Sequence, residues 1–340
     1  MKKLMVIGGC GFIGANTVLY FLKKRYRISI IDNLSGSSSK KNIYLIRKLS
    51  PNIQFYNLNI KNYNSLSKIV KKIKPESIIF AAGQVAVTKS VKNPREDFDS
   101  TMLGAFNVLE SIRNYSPKTK LIYSSSNKVY GNLRNLKIRE KNNTYEIKNK
   151  DLLINEFQAL DFSSPYGCSK GSSDQYVRDY SRTYNLKTAV FRMSCVYGPN
   201  QWGTEDQGWV SWFIKKSLRK KEKSINIYGN GKQVRDVLFI GDLVKLYEIS
   251  LKKFNRINGE IFNIGGGYNN KISLLQLIIK LKKLNQHKLK IKFFKERIGD
   301  QKYFVNNLKK IKKSLGWTPK TSVDEGIRIF NYWIKKNNIK

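Results

Sequence analysis

Short apolar runs alternate with amphipathic stretches through the first 195 residues. Lys3–Gly8, Ile28–Asp32, Ile53–Leu58, Ser77–Ala81, Leu121–Ser125 and Thr188–Met193 are compact runs of strand length, rich in β-branched and aromatic residues. Between them, Phe12–Lys24, Tyr63–Ile73, Asp97–Asn114 and Tyr166–Tyr184 repeat apolar residues at helical spacing. Strands that are apolar on both faces and separated by helices belong in a parallel sheet with βαβ crossovers. The expected fold class is α/β, a doubly wound parallel sheet over residues 1–195. Beyond about Pro199 the pattern loosens into shorter runs with Gly, Asn and aromatic clusters, and closes on a helix over Asp324–Asn337. This predicts a smaller C-terminal α/β lobe over residues 196–340, with segments near 237–265 returning to the sheet. Residues 132–160 are polar and rich in Asn, Lys and Glu, and read as a surface insertion.

The first strand-to-helix turn carries Gly8-Gly9-Cys10-Gly11-Phe12-Ile13-Gly14. Glycines at this spacing allow a tight turn, close approach of backbone to a pyrophosphate, and close helix–strand packing, with the phosphate at the helix N-terminus. A lone glycine triplet is weak evidence and could be a structural turn. Here Asp32 closes the second strand, where a carboxylate accepts ribose hydroxyls and repels a 2′-phosphate. The expected cofactor is NAD on a Rossmann-type sheet; Lys40 and Lys41 nearby keep NADP open.

Tyr166-Gly167-Cys168-Ser169-Lys170 sets a phenol and an ammonium at i and i+4, on one face of a predicted helix. The spacing alone says little, because it recurs at Tyr20/Lys24, Tyr44/Lys48, Tyr228/Lys232 and Tyr332/Lys336. The setting says more. The strand ending in Ser124-Ser125-Ser126 delivers hydroxyls to the carboxyl edge of the sheet, where ligands of open α/β sheets bind. Ser164-Pro165 just before Tyr166 reads as a helix start. The plainer alternative is that Tyr166 is an ordinary residue of an amphipathic helix.

Composition narrows the chemistry further. At 340 residues and 41% apolar content the chain has material for about two domains. No run approaches the roughly 18 apolar residues of a membrane helix. The apolar stretch at the N-terminus is cut by glycines without a cleavage site, so a cytoplasmic location is the expectation. The three cysteines, Cys10, Cys168 and Cys195, are dispersed, and the single histidine, His287, sits in a Lys-rich stretch and reads as surface. No metal site is expected, and chemistry must run on hydroxyls, carboxylates, lysines or a bound cofactor. The net charge of +40 comes from lysines spread along the whole chain, which suits a solvated surface better than a nucleic-acid site.

These segments together resemble the extended short-chain dehydrogenase/reductases that act on nucleotide sugars. The likeness rests on Gly8–Gly14, Asp32, Ala81-Ala82, Ser124-Ser125-Ser126, Val129-Tyr130-Gly131, Tyr166–Lys170 and Arg192. It continues through Val196-Tyr197-Gly198-Pro199, Gly229–Val237, Phe262-Asn263-Ile264-Gly265 and Leu315-Gly316-Trp317, and so spans essentially the whole chain. Ala82–Ala86, Ser126–Gly131, Ser163–Gly171 and Asp206–Val210 look most like one branch, the CDP-paratose 2-epimerases. The resemblance implies cofactor contacts from Gly8, Gly11, Phe12, Ile13, Gly14, Asp32, Asn33, Asn59, Ile60, Ala81, Ala82, Gln84, Ser124, Tyr166 and Lys170. It implies catalysis by Ser126, Tyr166 and Lys170, with Lys170 and the nicotinamide drawing the phenol about 3 pH units below its ordinary pKa of about 10. Substrate contacts are implied for Gln84, Ser126, Asn127, Cys195, Gln207, Lys232, Arg235, Arg297 and Asp300. Arg235 and Arg297 would clamp a diphosphate, or else are surface arginines; Trp209 and Trp212 are expected to pack the lobe interface.

The departures from the family pattern are informative. Asn59 and Thr101 stand where the family usually has Asp and Asn, and Cys195 where the uridine-sugar 4-epimerases have Asn. A family 4,6-dehydratase usually carries Asp-Glu after the serine, whereas this chain has Asn127-Lys128. The reading is therefore an NAD-dependent epimerase acting on a nucleotide-diphosphate sugar, as a homodimer or homotetramer, with no nucleic-acid or membrane partner. Rival enzyme readings are a 4-epimerase of UDP- or other nucleotide sugars and a 4,6-dehydratase. A rival of another class is an NAD-binding or nucleic-acid-associated protein of the same fold, supported by charge alone.

Overall fold

A computed structural model describes residues 1–36, 38–149, 153–219, 224–286, 290–297 and 299–337; His287 lies outside them. Along the chain run β1 (Lys3–Ile7), α1 (Phe12–Lys23), β2 (Arg27–Asp32), α2 (Ser39–Leu49), β3 (Gln54–Asn57), α3 (Tyr63–Ile73) and β4 (Ser77–Phe80). Then come α4 (Val87–Lys92), α5 (Pro94–Phe98), α6 (Gly104–Tyr115), β5 (Lys120–Ser126), the hairpin β6 (Ile138–Lys141) and β7 (Thr144–Ile147), α7 (Pro165–Tyr184) and β8 (Lys187–Met193). Seven parallel strands pair in the order β3-β2-β1-β4-β5-β8 and, outermost, β12 (Glu260–Ile264), which returns from the C-terminal half after β9 (Cys195–Tyr197), β10 (Ser224–Tyr228) and β11 (Val234–Phe239). The order reverses between β1 and β4, which opens a crevice at the carboxyl ends of the strands.

Both faces of the sheet are dry. Leu4, Val6, Ile30 and Ile122 pack with Val18 and Phe21 of α1 and with Leu246 and Tyr247 of α9 (Ile240–Lys252). Met5, Ile7, Ile31 and Tyr123 pack on the other face with Leu66 and Val70 of α3, Val108 of α6 and Val177 of α7. The second lobe centres on β11, which pairs with β9, antiparallel with β13 (Lys271–Ser273), and with β15 (Tyr303–Phe304); β10 pairs with β14 (Lys290–Phe294). Its core gathers Phe213 and Ile214 of α8 (Trp209–Leu218), Leu277 and Ile278 of α10 (Leu274–Asn285) and Phe330 of α12 (Val323–Lys336), which follows α11 (Lys309–Leu315). Among the described residues no helix is long and apolar enough to cross a membrane.

Two segments differ from their sequence reading. The helix expected over Asp97–Asn114 is broken by a π turn at Asp99–Leu103 between α5 and α6. A wide turn holds one extra residue, which periodicity does not reveal. It brings the Thr101 hydroxyl to 3.3 Å from the Gln84 N–H, and the Thr101 carbonyl to 3.4 Å from the Ser173 hydroxyl. The polar stretch 132–160 is not a free surface insertion. Its hairpin docks on the second lobe, where Tyr145 is buried beside Val234 and Val305 and its phenol accepts from Asn230 at 2.7 Å. Ile154 N–H donates to Val305 O at 3.0 Å.

One buried cluster joins the elements around the crevice. Arg192 of β8 forks onto Asp174 of α7 at 2.7 and 2.9 Å, and both side chains are inaccessible. Ser125 of β5 donates to the same carboxylate at 2.9 Å. The third arm of the guanidinium donates to Tyr130 at 3.0 Å, whose phenol donates to Asn263 of β12 at 2.7 Å. Removing one partner strands a buried charge, at about 3–5 kcal/mol. Asp174→Ala should lower unfolding free energy by that amount in urea titrations, and adding Arg192→Met should recover part of the loss.

Candidate active site

The glycine turn is forced by contact. Gly8 has φ +79°, and a Cβ there would lie 2.6 Å from Ala82 N; a Cβ on Gly14 would lie 2.0 Å from Gly8 O. Gly11 N–H closes the turn onto Gly8 O at 3.1 Å. Asp32 steadies it, accepting from Cys10 N–H at 2.9 Å and Leu34 N–H at 2.8 Å. Burial pushes the Asp32 carboxyl up, and these N–H bonds pull it back. No side chain caps α1, so its first-turn N–H groups are left for an anion. Asn33 and Asn59 are exposed beyond the ends of β2 and β3, Ile60 is buried behind them, and Ala81 N–H ties β4 to Ile7 O at 2.8 Å. Lys41 lies over the Trp202 ring, 4.2 Å from its centroid, where it is already engaged. A backbone cradle that no Cβ could share, ending on a carboxylate, fits a dinucleotide without a 2′-phosphate.

Beside this crevice α7 starts at Ser164, whose hydroxyl accepts from Gly167 N–H at 3.1 Å, with Pro165 in its first turn. That start places Tyr166 and Lys170 against the end of β5. Lys170 Nζ donates to Ser124 O at 2.9 Å and lies 4.9 Å from the Tyr123 ring centroid. Ser124 Oγ is engaged with the Tyr247 phenol at 3.1 Å. Ser126 Oγ accepts from Lys128 N–H at 3.2 Å and reaches the Tyr166 phenol.

Burial pushes Tyr166 up to about 12, with the Ser126 hydrogen bond opposing the rise. Burial takes the neighbouring Lys170 down to about 8, with the charge of Asp97 opposing the fall.

A cleft of about 280 Å³ runs from β5 to the second lobe. It gathers Asn127, Cys195, Gln207, Arg235, Arg297 and Asp300 from distant parts of the sequence. Arg235 pairs with Asp300 at 2.5 Å, and Arg297 with Asp206 at 3.3 Å. Asn127 donates to Gln301 at 2.8 Å. Two expected contacts are placed differently. Lys232 does not line the cleft, since its ammonium reaches 2.6 Å to Glu140 on the hairpin. Gln84 turns its amide back onto Ala86 O at 2.6 Å, leaving Val85 on the wall. Trp209 and Trp212, expected at the lobe interface, pack against the core of the second lobe and border the cleft.

Sequence reasoning missed Glu205, Asn226 and Tyr228 on this wall. They lie on a loop and on β10, where single polar residues carry no periodic signal. Lys128, which follows Asn127 at the position that separates the reaction types, lines the cleft, donates to Gly299 O at 2.8 Å, and is pushed by burial to about 8.

Residues 5–330 match the profile of a family described as GDP-mannose 4,6 dehydratase. The CDP-paratose 2-epimerase of Salmonella typhi is 40% identical over 97% of this chain and 98% of its own length. Among solved structures, the UDP-glucose 4-epimerase of Thermotoga maritima with UDP-glucose superposes with a TM-score of 0.84 at 30% identity, covering 98% of this chain and 99% of that one. The Thermus thermophilus UDP-glucose 4-epimerase complexed with NAD superposes at 0.82 with 25% identity, over 98% and 99% of the two chains. NAD is thus the dinucleotide that the cradle fits. Gly14→Ala should reduce NAD bound by the purified protein at least about tenfold, since the methyl group and the Gly8 carbonyl cannot share one space. Released nucleotide measured after denaturation checks this, with circular dichroism reporting the fold.

Proposed function

The chain belongs to the GDP-mannose 4,6 dehydratase family of extended short-chain dehydrogenase/reductases, and from that membership we propose that it is an NAD-dependent epimerase inverting C2 of a CDP-3,6-dideoxyhexose. One observation carries the choice of reaction. The two residues after Ser126 are Asn127 and Lys128, which bring no carboxylate to the cleft. A 4,6-dehydratase must also remove water from C5 and C6, and it needs acid and base groups for that step. The whole-length likeness to a CDP-paratose 2-epimerase supports C2 as the reacting carbon. The 30% identity to a UDP-glucose 4-epimerase supports the second reading, inversion at C4 of a UDP-sugar.

The Gly8–Gly14 turn, Asp32 and Lys170 would hold the cofactor. When bound, NAD would supply a hydride acceptor and a positive charge. Tyr166 Oη takes the proton of the sugar hydroxyl as general base and returns it after inversion. Ser126, fixed through Lys128 N–H, donates to the reacting oxygen as negative charge grows on it. Lys170 keeps a cation under Tyr166 while pinning the end of β5 through Ser124 O. Arg235 and Arg297 bind the diphosphate, for which planar guanidinium forks are suited.

We further propose a homodimer or homotetramer formed through α6 and α7, where Tyr176 and Tyr184 are exposed, working in the cytoplasm. The +40 charge then serves solubility and attraction of anionic substrates.

Incubation with a panel of CDP-, UDP-, GDP- and dTDP-sugars, with products read by NMR, should give C2 inversion of a CDP-3,6-dideoxyhexose. Efficient C4 inversion of a UDP-sugar, with no CDP-sugar accepted, would replace this reading by the second. Tyr166→Phe should cut turnover at least about a thousandfold with NAD content unchanged, whereas Ser126→Ala should cost about a hundredfold.

A further inference from the structure

The cleft has a direction. Asn127, Lys128 and Cys195 line its sugar end, where β5 ends at Ser126. Cationic Arg235 and Arg297 follow, and beyond them lies a wall of Glu205, Asn226 and Tyr228. Arg297 stacks over the Tyr228 ring at 4.0 Å and donates to Glu205 O at 3.1 Å, joining the diphosphate region to this wall. A nucleotide with its sugar at Ser126 and its phosphates at the arginines presents its base here.

A carboxylate on this wall is unexpected. The chain has 64 basic and only 24 acidic residues, and the ligand is an anion that a free carboxylate repels. The other acids of the cleft are neutralised: Asp300 by Arg235 at 2.5 Å and Asp206 by Arg297 at 3.3 Å. Glu205 is different. Its Oε1 accepts from two neutral donors, Asn226 Nδ2 at 3.0 Å and Tyr228 Oη at 2.8 Å. Its Oε2 has no hydrogen-bond donor among the described residues. The bonds from Asn226 and Tyr228, with Arg297 nearby, hold this carboxyl below the usual range, so it is an acceptor at every physiological pH.

An acceptor fixed at the base end discriminates by hydrogen-bond polarity. Cytosine offers an exocyclic amine that a glutamate accepts, whereas uracil and thymine set a carbonyl oxygen against it. We propose that Glu205 selects cytidine over uridine nucleotides by accepting from the cytosine amine through Oε2. This rests on the CDP-sugar reading and assigns that reading's base preference to one side chain.

The test is calorimetric binding of CDP and of UDP to the NAD-loaded protein and to Glu205→Gln. A hydrogen bond to a charged group corresponds to about tenfold to a hundredfold in affinity. The wild type should bind CDP at least about tenfold tighter than UDP, and Glu205→Gln should abolish that preference through loss of CDP affinity. Retained UDP affinity and NAD content show that the variant is folded. Glu205→Ala, which removes the acceptor without adding a donor, should give the same loss and keeps the test decisive if the amide perturbs the loop. If both variants keep the full CDP preference, Glu205 is not the selector, while the CDP-sugar reading stands. If the wild type binds UDP as tightly as CDP, the assignment falls together with the nucleotide part of that reading.

Discussion

The buried fork of Arg192 on Asp174 is the contact on which the geometry of the site depends. Neither ion has access to water, so each is stable only in the other's presence. The pair fixes α7 against β8, and Ser125 adds β5 to the same carboxylate. Tyr166 and Lys170 ride on α7, and Ser126 is the next residue of β5. The distance between phenol and serine is thereby set by a contact lying two turns along the helix from the chemistry. Tyr130 and Asn263 extend the cluster to β12, the strand that the C-terminal half returns to the sheet.

Above that foundation the site separates its charges. Near β5, burial pushes the Tyr166 phenol up and the Lys170 ammonium down. Toward the second lobe the arginines gather, each paired with an acid that shapes it.

Much of this was legible in the sequence, and for identifiable reasons. The sheet strands are buried on both faces and announce themselves as apolar runs. The Gly8–Gly14 turn was legible because a Cβ there meets backbone. The YxxxK pair was legible only through its neighbours, since lysine is everywhere in this chain. What escaped was either one residue out of period or dependent on tertiary contact. The π turn at Asp99–Leu103 hides within a helical pattern. Lys232 matched a substrate-site motif, but the hairpin supplied Glu140 as a nearer partner.

The central claim is that C2 itself is oxidised and reduced again within one closed site, with Tyr166 moving only the hydroxyl proton. A CDP-3,6-dideoxyhexose deuterated at C2 tests it most directly, with turnover followed by NMR in light water and the unlabelled substrate run in D₂O. The account predicts that the inverted product keeps its deuterium at C2 and that no solvent deuterium enters any carbon. Loss of the C2 label to solvent, or deuterium gained from D₂O at C2, would show enolisation in place of hydride return and contradict it.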